Sequence, residues 1–161
     1  MPELKLIELV NEPGLLAEVK DLLNEYGHYM YDELGLSAGK ENFLEQLEQF
    51  PGVDYQPPKG TFVVAKWGNA IAGCVGIKIL DETSCEMKRL FIRSAYRGKG
   101  IGECLCRYVI DWSSVFYRQI FLDTNTEMKE AVSLYRKCGF IEIAPYCINE
   151  NNNPVFMKCI L

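Results

Sequence analysis

The chain has 161 residues, 48% of them hydrophobic, and a formal net charge of -5. That is enough apolar material for one compact domain over 1–161, and the acidic balance disfavours a polyanion such as nucleic acid as partner. No apolar run approaches the roughly 20 residues of a membrane span, and Met1–Lys5 lacks the charged-then-apolar pattern of a secretory signal. Seven cysteines, an odd number with no Cys-x-x-Cys pair, stand far in sequence from the single histidine. Reduced thiols in a cytoplasmic protein without a metal site are the expectation.

Leu4–Val10 alternates weakly, as a first strand. Apolar residues at Leu15, Leu16, Val19, Leu22, Leu23 and Tyr26 then line one face of a helix that Gly27 ends. His28 follows in a connector with Tyr29, Met30 and Tyr31, where a histidine is more often structural than a catalytic base. A second helix after Ser37 carries Phe43, Leu44 and Leu47. Pro51–Gly60 is too proline-rich for a helix or central strand, and suits either the wall of a substrate site or a plain crossing. Thr61–Lys66 and Ala70–Leu80 read as a hairpin about a Trp67-Gly68-Asn69 turn.

After the Asp81–Ser84 turn comes an apolar strand, Met87–Ile92, then a short basic connection and glycines at 98, 100 and 102. A helix follows, with Ile101, Leu105, Tyr108, Val109, Trp112 and Phe116 on one face. Glycines ahead of a helix let the backbone approach an anion, and the helix start offers unpaired N–H groups, so this loop is suited to phosphate. Lys88, Arg89, Arg93, Arg97 and Lys99, five of 17 basic residues, form a local positive cluster that fits a small anionic ligand. Gln119–Leu122 is a short strand. Thr124 and Glu127 fit a capping box for a helix burying Met128, Ala131, Val132 and Tyr135 and stopping at Gly139. Phe140–Ile143 and Val155–Ile160 close the chain as strands around an asparagine-rich turn, Asn149–Pro154.

Arg97-Gly98-Lys99-Gly100-Ile101-Gly102 resembles the Arg/Gln-x-x-Gly-x-Gly/Ala phosphate loop of the GNAT superfamily of acyl-CoA-dependent N-acyltransferases. Ala131-Val-Ser-Leu-Tyr135-Arg-Lys-Cys-Gly-Phe140 is similar to its Ala-x-x-Leu-Tyr-x-x-x-Gly-Phe motif. The resemblance implies an α/β (α+β) fold in a single domain, with a mixed, mostly antiparallel central sheet flanked by helices. It implies acetyl-CoA as co-substrate, with pyrophosphate on the amides of Arg97, Gly98, Lys99, Gly100, Ile101 and Gly102 and pantetheine beside Leu90, Phe91 and Ile92. It implies Tyr135 as the acid that protonates the leaving thiolate, and puts Glu86 where one branch of the family carries its general base. Many members have asparagine where this chain has Met128, and Asn125 is the nearby candidate for that contact. The implied acceptor is the primary amine of a small molecule, and a homodimer is compatible with the resemblance.

Two chemical facts bear on these roles. An alkylamine of pKa about 10.4 must lose a proton before it attacks, and a glutamate of pKa about 4.3 is a weak base unless buried or served by water. Glu86 is otherwise a structural carboxylate paired with Lys88 along one face of the strand, and Tyr135 otherwise a core ring. Glu25, Asp32, Glu33 and Asp54 would suit a cationic acceptor. A dinucleotide-binding site with Asp123 on a ribose requires glycine where Glu103 stands, and a shorter path from strand to glycines. The alternative to an enzyme is a module that binds acyl-CoA without turnover.

Overall fold

The computed structural model describes residues 1–161. Seven strands, β1 (Leu4–Glu8), β2 (Thr61–Trp67), β3 (Ala70–Ile79), β4 (Ser84–Ile92), β5 (Gln119–Asn125), β6 (Ile141–Ile143) and β7 (Pro154–Ile160), form one sheet in the order β1-β2-β3-β4-β5-β7-β6. Four α-helices connect them: α1 (Leu16–His28), α2 (Lys40–Gln49), α3 (Ile101–Ser114) and α4 (Lys129–Lys137). Every strand pair is antiparallel except β4 with β5, where α3 makes the crossover that a parallel pair needs. No helix is long and apolar enough to cross a membrane.

Strand alternation divides the core between the two faces of the sheet. Val63, Ala65, Val75 and Met87 pack with Ile101, Leu105 and Val109 of α3 and with Tyr135 of α4. Phe62, Val64 and Cys74 pack instead with Val19, Leu22 and Leu23 of α1 and with Phe43 and Leu47 of α2. The expected helix stop at Gly27 does not occur. α1 runs on to His28 and continues as a π-helical turn, Tyr29–Glu33. Gly27 serves packing there, since a Cβ would lie 3.1 Å from the Phe43 ring of α2. Leu44 points outward, and Phe116 lies beyond the end of α3.

The strand of the glycine-loop segment carries a feature that its composition does not announce. Between Cys74↔Phe91 and Gly76↔Lys88 the register slips, so β4 has one more residue than β3 there. Arg89 sits at this bulge with φ 60, a left-handed conformation uncommon for a side chain of its size. The bulge inverts the alternation. Cys85 and Met87 face α3 before it, whereas Leu90 and Ile92 face that side after it and Phe91 turns toward α1.

Candidate active site

β4 and β5 pair only over Ser84–Glu86 with Gln119–Phe121, then part. From Met87 to Ile92 the flank of β4 toward β5 has no strand partner, and two clefts open along it. The first, about 500 Å³, is lined by Leu90, Phe91 and Ile92, by Arg97, Gly98, Gly100, Ile101 and Gly102, and by Met128, Ala131 and Leu134 at the start of α4. Gly98 and Gly100 have φ +77 and +78, which turn the backbone into α3. The first hydrogen bond of that helix runs from Cys104 N to Gly100 O, leaving the amides of Ile101, Gly102 and Glu103 without helical partners. Gly102 acts through packing instead. A Cβ there would meet Leu134 at 3.1 Å, so its absence lets α3 and α4 approach.

The five clustered basic residues do not act together in space. Arg97 lines the first cleft, its Nε donating to Ile92 O and its guanidinium 5.0 Å from the Tyr29 ring. Lys99 does not line it, and its ammonium lies over Trp67 at 5.6 Å. Arg93 is bound to Glu25 and to Ile71 O, while Lys88 and Arg89 lie on the second cleft. Strand alternation and the bulge disperse what the sequence places side by side.

The second cleft, about 420 Å³, shares Leu90 and Met128 with the first. Tyr135 lines it, one residue on from Leu134 of the first cleft. Its hydroxyl is held protonated chiefly by burial, with Cys106 and Asp123 nearby, which raises its pKa above the usual 10.0. Tyr26, Tyr31, Tyr55 and Phe43 form an apolar and phenolic wall, so the Pro51–Gly60 loop does contribute to the site, through Tyr55. Lys88 donates to Asp123 Oδ1 at 3.0 Å and lies 3.3 Å from Glu86. Burial would lower the pKa of Lys88, yet the Asp123 and Glu86 carboxylates hold it raised.

Glu86 lines neither cleft. It is buried, and its Oε2 accepts from the Tyr146 hydroxyl at 2.5 Å as well as facing Lys88. Asn125 is also turned to structural use. It lines the second cleft rather than the first, its amide donates to Asn152 O, and its Oδ1 accepts from Glu127 N at 3.0 Å. That turn leads into α4 in place of the expected Thr124–Glu127 capping box: the Thr124 hydroxyl donates to Met128 Sδ, and no side chain caps the helix start. The acidic residues expected to attract a cation are elsewhere: Glu25 pairs with Arg93 and Asp32 with His28, and neither Glu33 nor Asp54 lines a cleft.

Sequence reading missed the β6–β7 connection as a wall. Asn149 donates to Asp123 Oδ2 at 3.1 Å, and Asn151 accepts from Ala38 N, tying this loop to the segment before α2. Its only signal was the run of asparagines, which favours turns without indicating what they face.

The match to known proteins agrees with this geometry. Residues 16–140 fit the model of the Acetyltransferase (GNAT) family. An uncharacterised N-acetyltransferase of Schizosaccharomyces pombe is 34% identical over 155 residues, covering 94% of this chain and 92% of that protein. The crystal structure of an acetyltransferase from Streptococcus agalactiae superposes with a TM-score of 0.78 at 21% identity, over 98% of each chain. A GNAT family acetyltransferase from Elizabethkingia anophelis, solved with acetyl-CoA bound, matches 64% of this chain and 77% of its own with a TM-score of 0.55 at 24% identity. With the family model matching most of its length, the chain belongs to the GNAT family and is an acetyltransferase.

Proposed function

We propose that the protein transfers the acetyl group of acetyl-CoA directly to a primary amine held in the second cleft. The observation that carries this reading is the meeting of two clefts at Leu90 and Met128, with the Tyr135 phenol on the acceptor side. The first cleft suits the co-substrate on its own features: two left-handed glycines, unpaired amides at the start of α3, and Arg97 beside them. The amides of α3 hold pyrophosphate, and the unpaired flank of β4 at Leu90, Phe91 and Ile92 lies beside the pantetheine. When bound, acetyl-CoA supplies an activated acetyl group on a thiol leaving group.

The chain's own residues then manage protons. Tyr135 keeps its hydrogen through neutral pH, delivers it from Oη to the departing sulfur, and regains a proton from solvent through the second cleft. Asp123 is already engaged by Lys88 and Asn149, so it is no free base. The acceptor's proton therefore leaves through the open polar cleft to solvent, and Glu86 positions Lys88 and Tyr146 rather than taking that proton. Thiol release from acetyl-CoA against a panel of primary amines tests the reading. Release with at least one amine, abolished by competing CoA, is expected; none with any amine would contradict it.

A further inference from the structure

We infer that the acceptor amine also carries a carboxylate, and that Arg89 binds it; the acceptor is an amino acid or a close derivative with its carboxylate free. This rests on the acetyl-transfer reading and names the substrate class of the same site. Arg89 lines the second cleft but is buried, at 8% relative exposure, and makes no ion pair with any carboxylate of the chain. Its Nη2 donates to Gln46 Oε1 at 2.5 Å, while Nη1 is buried without a partner. The guanidinium lies 5.0 Å from the Phe43 ring and 5.2 Å from the Tyr55 ring, which fix its plane.

An arginine so placed is costly in two ways. Its charge is removed from water without a counter-ion, and its backbone is left-handed, a conformation a glycine would adopt freely. Two rings and Gln46 hold the guanidinium without neutralising it, whereas an anionic ligand in the cleft compensates the charge. The other ionic groups of the cleft differ: Lys88 and Asp123 are paired, Lys78 is only half-buried, and Glu150 is exposed on the rim. A buried guanidinium without a counter-ion calls for a negative charge, and its planar fork matches a carboxylate. Leu90, the next residue, borders both clefts, so a carboxylate held by Arg89 leaves the amine of a compact acceptor near the shared wall.

The test uses the intact protein and matched pairs of ligands. N-acetylamino acids, the products expected here, and their carboxamides are titrated while thermal unfolding is followed, and the parent amino acids and amides are assayed for thiol release. Acids that raise the melting temperature where amides do not, with the preference lost in Arg89→Gln, support the inference. Arg89→Lys, which keeps the charge without the fork, should retain part of it. In turnover, Arg89→Gln should raise KM for the carboxylate acceptor about tenfold or more and leave the amide's KM and CoA affinity unchanged. Equal stabilisation of the wild-type protein by acids and amides would overturn the inference, and this comparison needs no variant to fold. Absence of thiol release with any amine would strike the transferase reading instead, because ligand-induced stabilisation is read without turnover.

Discussion

Lys88 Nζ lies 3.0 Å from Asp123 Oδ1, bridging β4 and β5 beyond the point where their main chains stop pairing. The ion pair thus closes one end of the gap in which the site is built. Both partners are shielded, at 31% and 17% side-chain exposure. Asp123→Ala removes one of two carboxylates from Lys88 and the acceptor of Asn149, and should cost about 1–3 kcal/mol. Thermal unfolding checks this; an unchanged melting temperature would show that the bridge does not hold the strands.

Glu86→Gln keeps an acceptor for the Tyr146 hydroxyl but removes a charge from Lys88. If the residue positions its neighbours, kcat/KM should fall by less than about tenfold and by the same factor at every pH, whereas a lost general base commonly costs about 10²-fold or more. The wild-type kcat/KM should itself rise with pH as the acceptor amine becomes neutral. A variant that fails chiefly at low pH and recovers at high pH would restore Glu86 as the base.

Much of this was legible in the sequence because it is local. The order of elements follows from periodicity and turn chemistry, and Leu90, Ile92, Arg97, the glycines and Tyr135 line the two clefts. The rest depends on long-range pairing. An arginine with positive φ has no propensity signature, and a one-residue bulge is visible only against its partner strand. Tyr146 reaches Glu86 from 60 residues away, through a loop with no period to read. In sequence the five basic residues look like one patch; in space they divide among both clefts, the protein's own carboxylates and, for Lys99, the Trp67 ring.

The glycine loop should matter more to CoA affinity than any single cation. Gly100 has open space around a would-be Cβ, so Gly100→Val acts through its φ of +78 and through bulk beside the phosphate path. CoA binding should weaken about tenfold or more, a loss of about 1.4 kcal/mol. Arg97→Ala removes an exposed, solvent-screened charge and should cost less, up to about 1 kcal/mol. Calorimetry on folded variants ranks them; undiminished CoA binding by Gly100→Val would move the co-substrate site away from this loop.

Stability should decline in alkali. Tyr26, Tyr31, Tyr55, Tyr108, Tyr117, Tyr135 and Tyr146 all have raised pKa values, with burial the largest cause in each, and Tyr117 is pushed up to about 12. Below the unfolded value of 10.0 these phenols are protonated in both states, so no stability is lost. Above it the unfolded chain ionises while the folded chain resists, and stability falls as pH rises toward the folded values. The melting temperature should drop progressively from about pH 10 toward about pH 12, with phenolate absorbance appearing together with unfolding. A flat melting temperature with smooth phenolate growth would contradict the buried environment of these rings.

The most direct test of the account is Tyr135→Phe, since the proton on Tyr135 is what links the geometry of the two clefts to chemistry. The substitution keeps the ring against Phe140, 5.7 Å away, and removes only the hydroxyl. With one confirmed amine acceptor, kcat should fall roughly 10²-fold or more while CoA affinity stays within about twofold of the wild type. Native turnover by a folded Tyr135→Phe protein would contradict the account and leave Tyr135 as a ring in the core.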